Sequence, residues 1–155
     1  MTELFKTQRS PSAQLMGSQF QSWDAEKGEV TFTYDPPPSF ASPRGAVQGG
    51  LIAGFLDEVM GAALLASTDD AALPLNLDMN LSFVRMVPLE RITAKGRVIK
   101  HGRRVVFLEG ELFDKEGRLL ARATSTAIPT PMPEPLPREK GLVANDRSSH
   151  KGRDG

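Results

Sequence analysis

The chain has 155 residues, enough for one domain with a buried core. Its 19 basic and 19 acidic residues cancel, so no global field draws it to nucleic acid or to an anionic membrane. It has no cysteine, which excludes disulfides and thiolate metal sites and fits a reducing, cytoplasmic setting.

Thr2 to Ser12 is polar with a few apolar residues and is expected to form a short helix or a loose arm, residues 1–12. A folded domain is expected over 13–129. Ala13 to Trp23 and Glu29 to Tyr34 read as two strands around the turn "DAEKG". In the second, Val30, Phe32 and Tyr34 alternate with Thr31 and Thr33, the period of a half-buried strand. "DPPPSFASPRG" holds four prolines in eleven residues and predicts a loop.

A long helix follows, apolar on every side from Leu51 onward except for Asp57 and Glu58. These two acids leave its apolar stretch short of a membrane span, and no secretory signal pattern precedes it. Leu75 to Val87 predicts a strand with Leu75, Leu77, Met79, Leu81 and Phe83 on one face and Asn76, Asp78, Asn80 and Ser82 on the other. Arg91 to Lys100 and Arg104 to Phe113 form a predicted hairpin around "HGR", and "DKEGR" turns into a last strand from Leu119 to Ile128. One face of that strand is small (Ala121, Ala123, Ser125, Ala127), which suits close packing under something bulky. Residues 130–155 are too polar and proline-rich to offset ordering entropy and read as a disordered tail. Two strands, one helix and a four-strand meander make an α+β fold in which an antiparallel sheet wraps one long central helix.

On a helix, the neighbours of Asp57 are Gly50, Ala53, Gly54, Met60, Gly61 and Leu64, a face that opens space instead of filling it. An acid pair normally reaches water or a basic partner, but an all-round apolar helix is generally buried, and a desolvated carboxylate commonly has a specific task. "QGG" at the helix start presents backbone N–H groups without internal partners, a ready site for an oxyanion. Gly49 and Asp57 lie roughly 12 Å apart along a helix, too far to share one carbonyl. Two helices crossing antiparallel about a two-fold axis would bring Gly49 of one chain to Asp57 of the other.

Other chemistries lack their parts. His101 sits in a predicted turn and His150 in the tail, no G-x-S-x-G elbow exists, and no P-loop or G-x-G-x-x-G is present. Zinc ligands are lacking as well, so neither a metal nor a cofactor is expected. Lys100, Arg103 and Arg104 form a basic cluster that is either a solvated turn or a contact for a ligand phosphate. Arg85 could serve in the same way.

With these residues in view, the chain resembles hotdog-fold acyl-CoA thioesterases of the phenylacetate-degradation type. The resemblance spans roughly Trp23 to Ile128 and is carried by "VQGGLIAGFLDEVMGAA" and "NLDMNLSFVRMVP". It implies a hotdog fold and hydrolysis of an acyl-CoA to free acid and coenzyme A by a homodimer or a dimer of dimers. Asp57 would be the base or nucleophile, with Glu58 in reserve. The Gly49 N–H would polarise the thioester oxygen, and Asn76 would orient the lytic water. Gln48, Gly50, Ser42, Glu58, Arg103 and Arg104 would contact substrate. Many members carry histidine where this chain has Gln48, and asparagine or glutamine where it has Ser42. A catalytically silent acyl-CoA binding or scaffold protein is the alternative. A hydratase of the same fold would need a histidine that the helix lacks.

Overall fold

The computed structural model describes Phe5 and residues 9–133. Of the tail expected over 130–155, Thr130 and Pro131 instead continue the last strand, and residues 134–155, including His150, lie outside the described residues, as does most of the arm ahead of Arg9. Pro11–Leu15 forms a short helix, α1. Ser10 caps it by accepting from the Ala13 N–H at 3.1 Å, and Pro11 supplies the pre-set φ of a first helical turn. The strand expected from Ala13 therefore starts only at Gln19, and β1 is Gln19–Asp24. β2 is Glu29–Tyr34, with Val30, Phe32 and Tyr34 buried as their alternation predicts. The proline-rich loop holds one 3-10 turn, Pro38–Phe40.

The central helix, α2, is Gly49–Ser67. By length and composition alone it is long and apolar enough to cross a membrane even with its two acids, but 56% of that window is buried inside the fold, as in a core helix. The remaining strands are β3 (Ala72–Phe83), β4 (Ile92–His101), β5 (Val106–Phe113) and β6 (Leu119–Pro131). All six make one antiparallel sheet in the order β1-β2-β4-β5-β6-β3. Wrapped around α2, it is the α+β hotdog architecture. The predicted hairpins β4–β5 and β5–β6 form, but β3 does not join a meander with β4. It lies at the far edge against β6, because α2 carries the chain from β2 across the sheet before β3 begins. The return segment is tied by the Val47 N–H to the Val87 carbonyl at 2.8 Å.

Two glycines set how deep the helix sits. Val30, Gly96, Gly110 and Ala123 stand side by side across β2, β4, β5 and β6. A Cβ on Gly96 would lie 2.2 Å from the Val59 carbonyl oxygen, and one on Gly110 would lie 3.1 Å from Met60 Cγ. The sheet thus has a trench where the backbone of α2 lies directly on it. The small face of β6 continues the trench, with Ala121, Ala123, Ser125 and Ala127 all buried.

β3 departs from its expected alternation. A bulge between Asn76 and Asp78 leaves Leu77 without a partner on β6. Beyond it, Met79, Leu81 and Phe83 stand opposite Ser125, Ala123 and Ala121 on the helix-facing side. Before it the phase is reversed: Asn76 pairs with inward-facing Ala127, and Leu75 pairs with Ile128 on the outer face. The bulge is pinned by Ser125 Oγ, 2.8 Å from the Asp78 carbonyl, and by the Thr126 N–H donating to the Asp78 carboxylate at 3.2 Å.

The trench gives a stability prediction. Gly96→Ala must displace helix backbone, so it should destabilise by about 1–3 kcal/mol or more. Gly110→Ala meets side-chain atoms of Met60, Leu56 and Val59 at 3.1, 3.2 and 3.3 Å instead of backbone, so smaller shifts accommodate it and it should cost less. Urea midpoints of the two variants check the order; equal losses would show that the contact with the Val59 carbonyl does not set the helix position.

Candidate active site

α2 does not bury its whole circumference. Gly50 and Asp57 are exposed and Ala53 and Gly54 half-buried, a stripe left partly open among the described residues. The expectation of an acid pair inside a fully buried helix is therefore corrected. A helix turns about 100° per residue, and the two adjacent acids point to different surroundings. Asp57 lies on the open stripe, while Glu58 turns toward β1 and β2 beneath the N-terminal segment.

The bulge brings Asn76 to Asp57. Asn76 Nδ2 donates to Asp57 Oδ1, and Ser125 Oγ lies 3.1 Å from Asn76 Oδ1. Ser125 has one proton to place between Asn76 Oδ1 and the Asp78 carbonyl; when it donates to the amide oxygen, the Asn76 N–H is turned to the carboxylate. Ser125 is the residue that sequence reading counted only for its size. It is the sole hydroxyl on the alanine face of β6, and that was the available signal.

Glu58 sits deeper. Ser18 donates to its Oε1 at 2.9 Å, and Oε2 is enclosed without a hydrogen-bond partner among the described residues. Burial pushes its carboxyl above the usual glutamate range; the Ser18 and Tyr34 hydroxyls and the charge of Arg9 offset part of this. Tyr34 is fully buried and donates to the Phe55 carbonyl at 3.2 Å. Burial, with the charge of Glu58 nearby, holds its hydroxyl well above the ordinary phenol range. Nothing in the sequence pattern pointed to Ser18 or Tyr34, which reach Glu58 only through the tertiary fold.

Asp57 and Asn76 stand between two spaces. Behind them is a cavity of about 620 Å³, also lined by Glu58, Gly54, Gly61 and Ala62 of α2. In front is an open groove bounded by Ala53, Leu77 and Met79. The other expected residues lie elsewhere. Gln48 caps α2 by accepting from the Leu51 N–H at 3.2 Å, so the N–H groups of Gly49 and Gly50 are left without helical partners. Ser42, Gly49, Arg44 and Arg85 line a separate cavity of about 500 Å³ at that helix start. Arg103 and Arg104 are exposed in the β4–β5 turn, line none of these spaces, and are not brought to Asp57 within one chain. Among the described residues, no group of three or more acidic or histidine side chains could hold a metal ion.

A family profile described as the thioesterase superfamily matches residues 44–121, half of the chain. A phenylacetic acid degradation-related protein of Ralstonia eutropha JMP134 has a similar structure, with a TM-score of 0.73 and 31% identity, covering 82% of this chain and 96% of that one. A protein of Saccharolobus solfataricus, provisionally named an esterase, is 28% identical over 63% of this chain and 69% of its own length. A Streptococcus pneumoniae TIGR4 protein described as a hypothetical thioesterase, with coenzyme A, shares the fold at a TM-score of 0.64 and 21% identity, over 74% of this chain and 89% of that one.

The buried acid makes stability depend on pH. Glu58 holds its proton more tightly folded than unfolded, so its contribution is complete below its unfolded pKa and is lost as pH rises through the raised folded value. Glu58→Gln, which never ionises, should therefore melt higher than the parent at about pH 7, with the gap closing toward about pH 4. Melting curves across that range test it, and a gap independent of pH would remove desolvation as the cause.

Proposed function

This chain belongs to the thioesterase superfamily, and from that premise we propose that it is an acyl-CoA thioesterase whose site is completed by a second copy of the chain. The observation that carries this reading is the Ser125–Asn76–Asp57 series, which aims one held carboxylate into the space between cavity and groove. In this reading the thioester oxygen accepts from the Gly49 N–H of the partner. Asp57 takes a proton from water as that water attacks the carbonyl carbon, or its carboxylate attacks the carbon itself and water then hydrolyses the resulting mixed anhydride to release the acid. The carbon–sulfur bond breaks and coenzyme A departs as a stable thiolate, which needs little acid assistance.

The shared site is supported by what one chain leaves open. β3 is an edge strand with Leu75, Leu77 and Phe83 all more than half exposed, the kind of edge and apolar surface that another chain covers. Beside it runs the stripe of Gly50, Ala53, Gly54 and Asp57, whose small residues admit a second helix. A two-fold axis there sets each Gly49 against the other chain's Asp57, across the roughly 12 Å that separates them along one helix. Gln48 then acts by holding the helix start through its cap, and Gly50 by letting substrate approach the backbone. Ser42 flanks the thioester, Arg103 and Arg104 contact phosphates of coenzyme A, and Glu58 lines the acyl side. We extend the assignment to the phenylacetate-degradation type on the Ralstonia likeness, and to a cytoplasmic dimer or dimer of dimers.

Release of free thiol from a panel of acyl-CoAs tests the activity. Asp57→Asn should lower turnover by about 10²–10⁴ while the dimer persists in sedimentation. Near-normal turnover would remove Asp57 from the chemistry, and loss in Glu58→Gln alone would move the role one residue along. Single turnover in heavy-oxygen water separates the two routes: label enters the acid product at once if water attacks, and Asp57 first if the carboxylate does.

Ser125 should act through Asn76. Ser125→Ala should lower kcat with little change in KM, and should cost nothing further when combined with Asn76→Ala. Additive losses would assign Ser125 a role in holding the bulge instead.

A further inference from the structure

The cavity behind Asp57 has a wall that hydrolysis itself does not require. It is made by the N-terminal segment, whose Phe5, Ala13 and Met16 face the small residues Gly54, Gly61 and Ala62 of α2 across the space. The segment folds back over the helix at Gly17, where φ is 64° and a Cβ would lie 2.5 Å from the Asp35 carbonyl oxygen. The Asp35 N–H donates to the Gly17 carbonyl at 3.3 Å and fixes that turn. From there Met16 Sδ reaches 3.5 Å from the Cβ position of Gly54. The Phe5 ring stacks on Phe20 at 5.3 Å and meets Phe32 edge-on at 5.4 Å.

Charge decides which end of a thioester fits here. Two carboxyls, Asp57 and Glu58, line the cavity against a single guanidinium, Arg9, which leaves no net positive charge to hold the phosphates of coenzyme A, and the rest of the wall is largely apolar. Resting on the thioesterase reading, we propose that this cavity takes an apolar acyl group, aliphatic or aromatic, and that Phe5 and Met16 set the longest chain admitted. They are specificity-determining residues on an arm outside the catalytic series. Of the three rings only Phe5 belongs to the arm; it meets the sheet through Phe20 and Phe32.

The test uses the full-length chain, its Phe5→Ala, Phe5→Leu and Met16→Ala variants, and a ladder of straight-chain acyl-CoAs. Turnover is measured on the ladder, and binding on thioether analogues of the same lengths. The parent should gain with chain length and then break off. Each variant should move the break to longer chains, every further methylene that fits raising kcat/KM or affinity by about fourfold. Phe5→Leu keeps an apolar anchor, so a shift in it cannot be laid to unfolding. A break that stays in place in all three variants overturns the proposal. Absence of turnover, with analogues that still bind and a break that still moves, would instead sink the hydrolase reading and leave the acyl site standing.

Discussion

The contact of the Val59 carbonyl with the bare backbone of Gly96 fixes the rest of the molecule. With Leu56, Val59 and Met60 seated over Gly96 and Gly110, the rotation of α2 about its axis has no freedom left. Stepping back from Val59 at about 100° per residue puts Glu58 to one flank and Asp57 on the side away from the sheet's centre. The acids therefore owe their different surroundings to two absent side chains on neighbouring strands. A helix lifted by one methyl group would still be buried, but its acids would aim elsewhere.

That difference has chemical consequences. Adjacent carboxyls in one environment would titrate together and repel. Here one is enclosed, and burial favours its neutral form. The other is exposed and accepts from an amide whose orientation a serine sets. Enzymes commonly divide labour between two acids by such unequal settings. The neutral tendency of Glu58 also keeps the cavity hospitable to apolar groups, since a second full charge at its rim would hold water there.

How much of this could be read from the sequence depended on range. Signals within a few residues were legible: the helix over Gly49–Ser67, both turns that join β4, β5 and β6, the small face of β6, and Asp57 on a glycine-lined side. The start of α1 was also written locally, in the Ser10 cap and Pro11, ahead of a segment whose apolar pattern suits a strand as well. Long-range facts were not legible. No residue in β3 says that it pairs with β6 instead of β4, because that choice follows from where α2 deposits the chain. The trench was hidden for a similar reason, since Gly96 and Gly110 become neighbours only in register. Glu58 gained its partners Ser18 and Tyr34 from segments far away in the chain.

Leu77 shows what such a feature means for comparing chains. Its side chain pairs with nothing on β6, yet its presence as one extra residue decides which way Asn76 faces. The information is a count, not a chemistry. Hydrophobic alternation drawn straight through β3 puts Leu75 and Leu77 inside and turns Asn76 to the outer surface, so an alignment guided by apolar pattern would discard the amide as solvent-facing. Relatives of this chain are better matched outward from the bulge, with each half of the strand given its own phase. An insertion or deletion there would turn Asn76 away from Asp57, whereas the residue type at 77 meets no such constraint from β6, the reverse of what an exposed leucine on a sheet edge would ordinarily suggest.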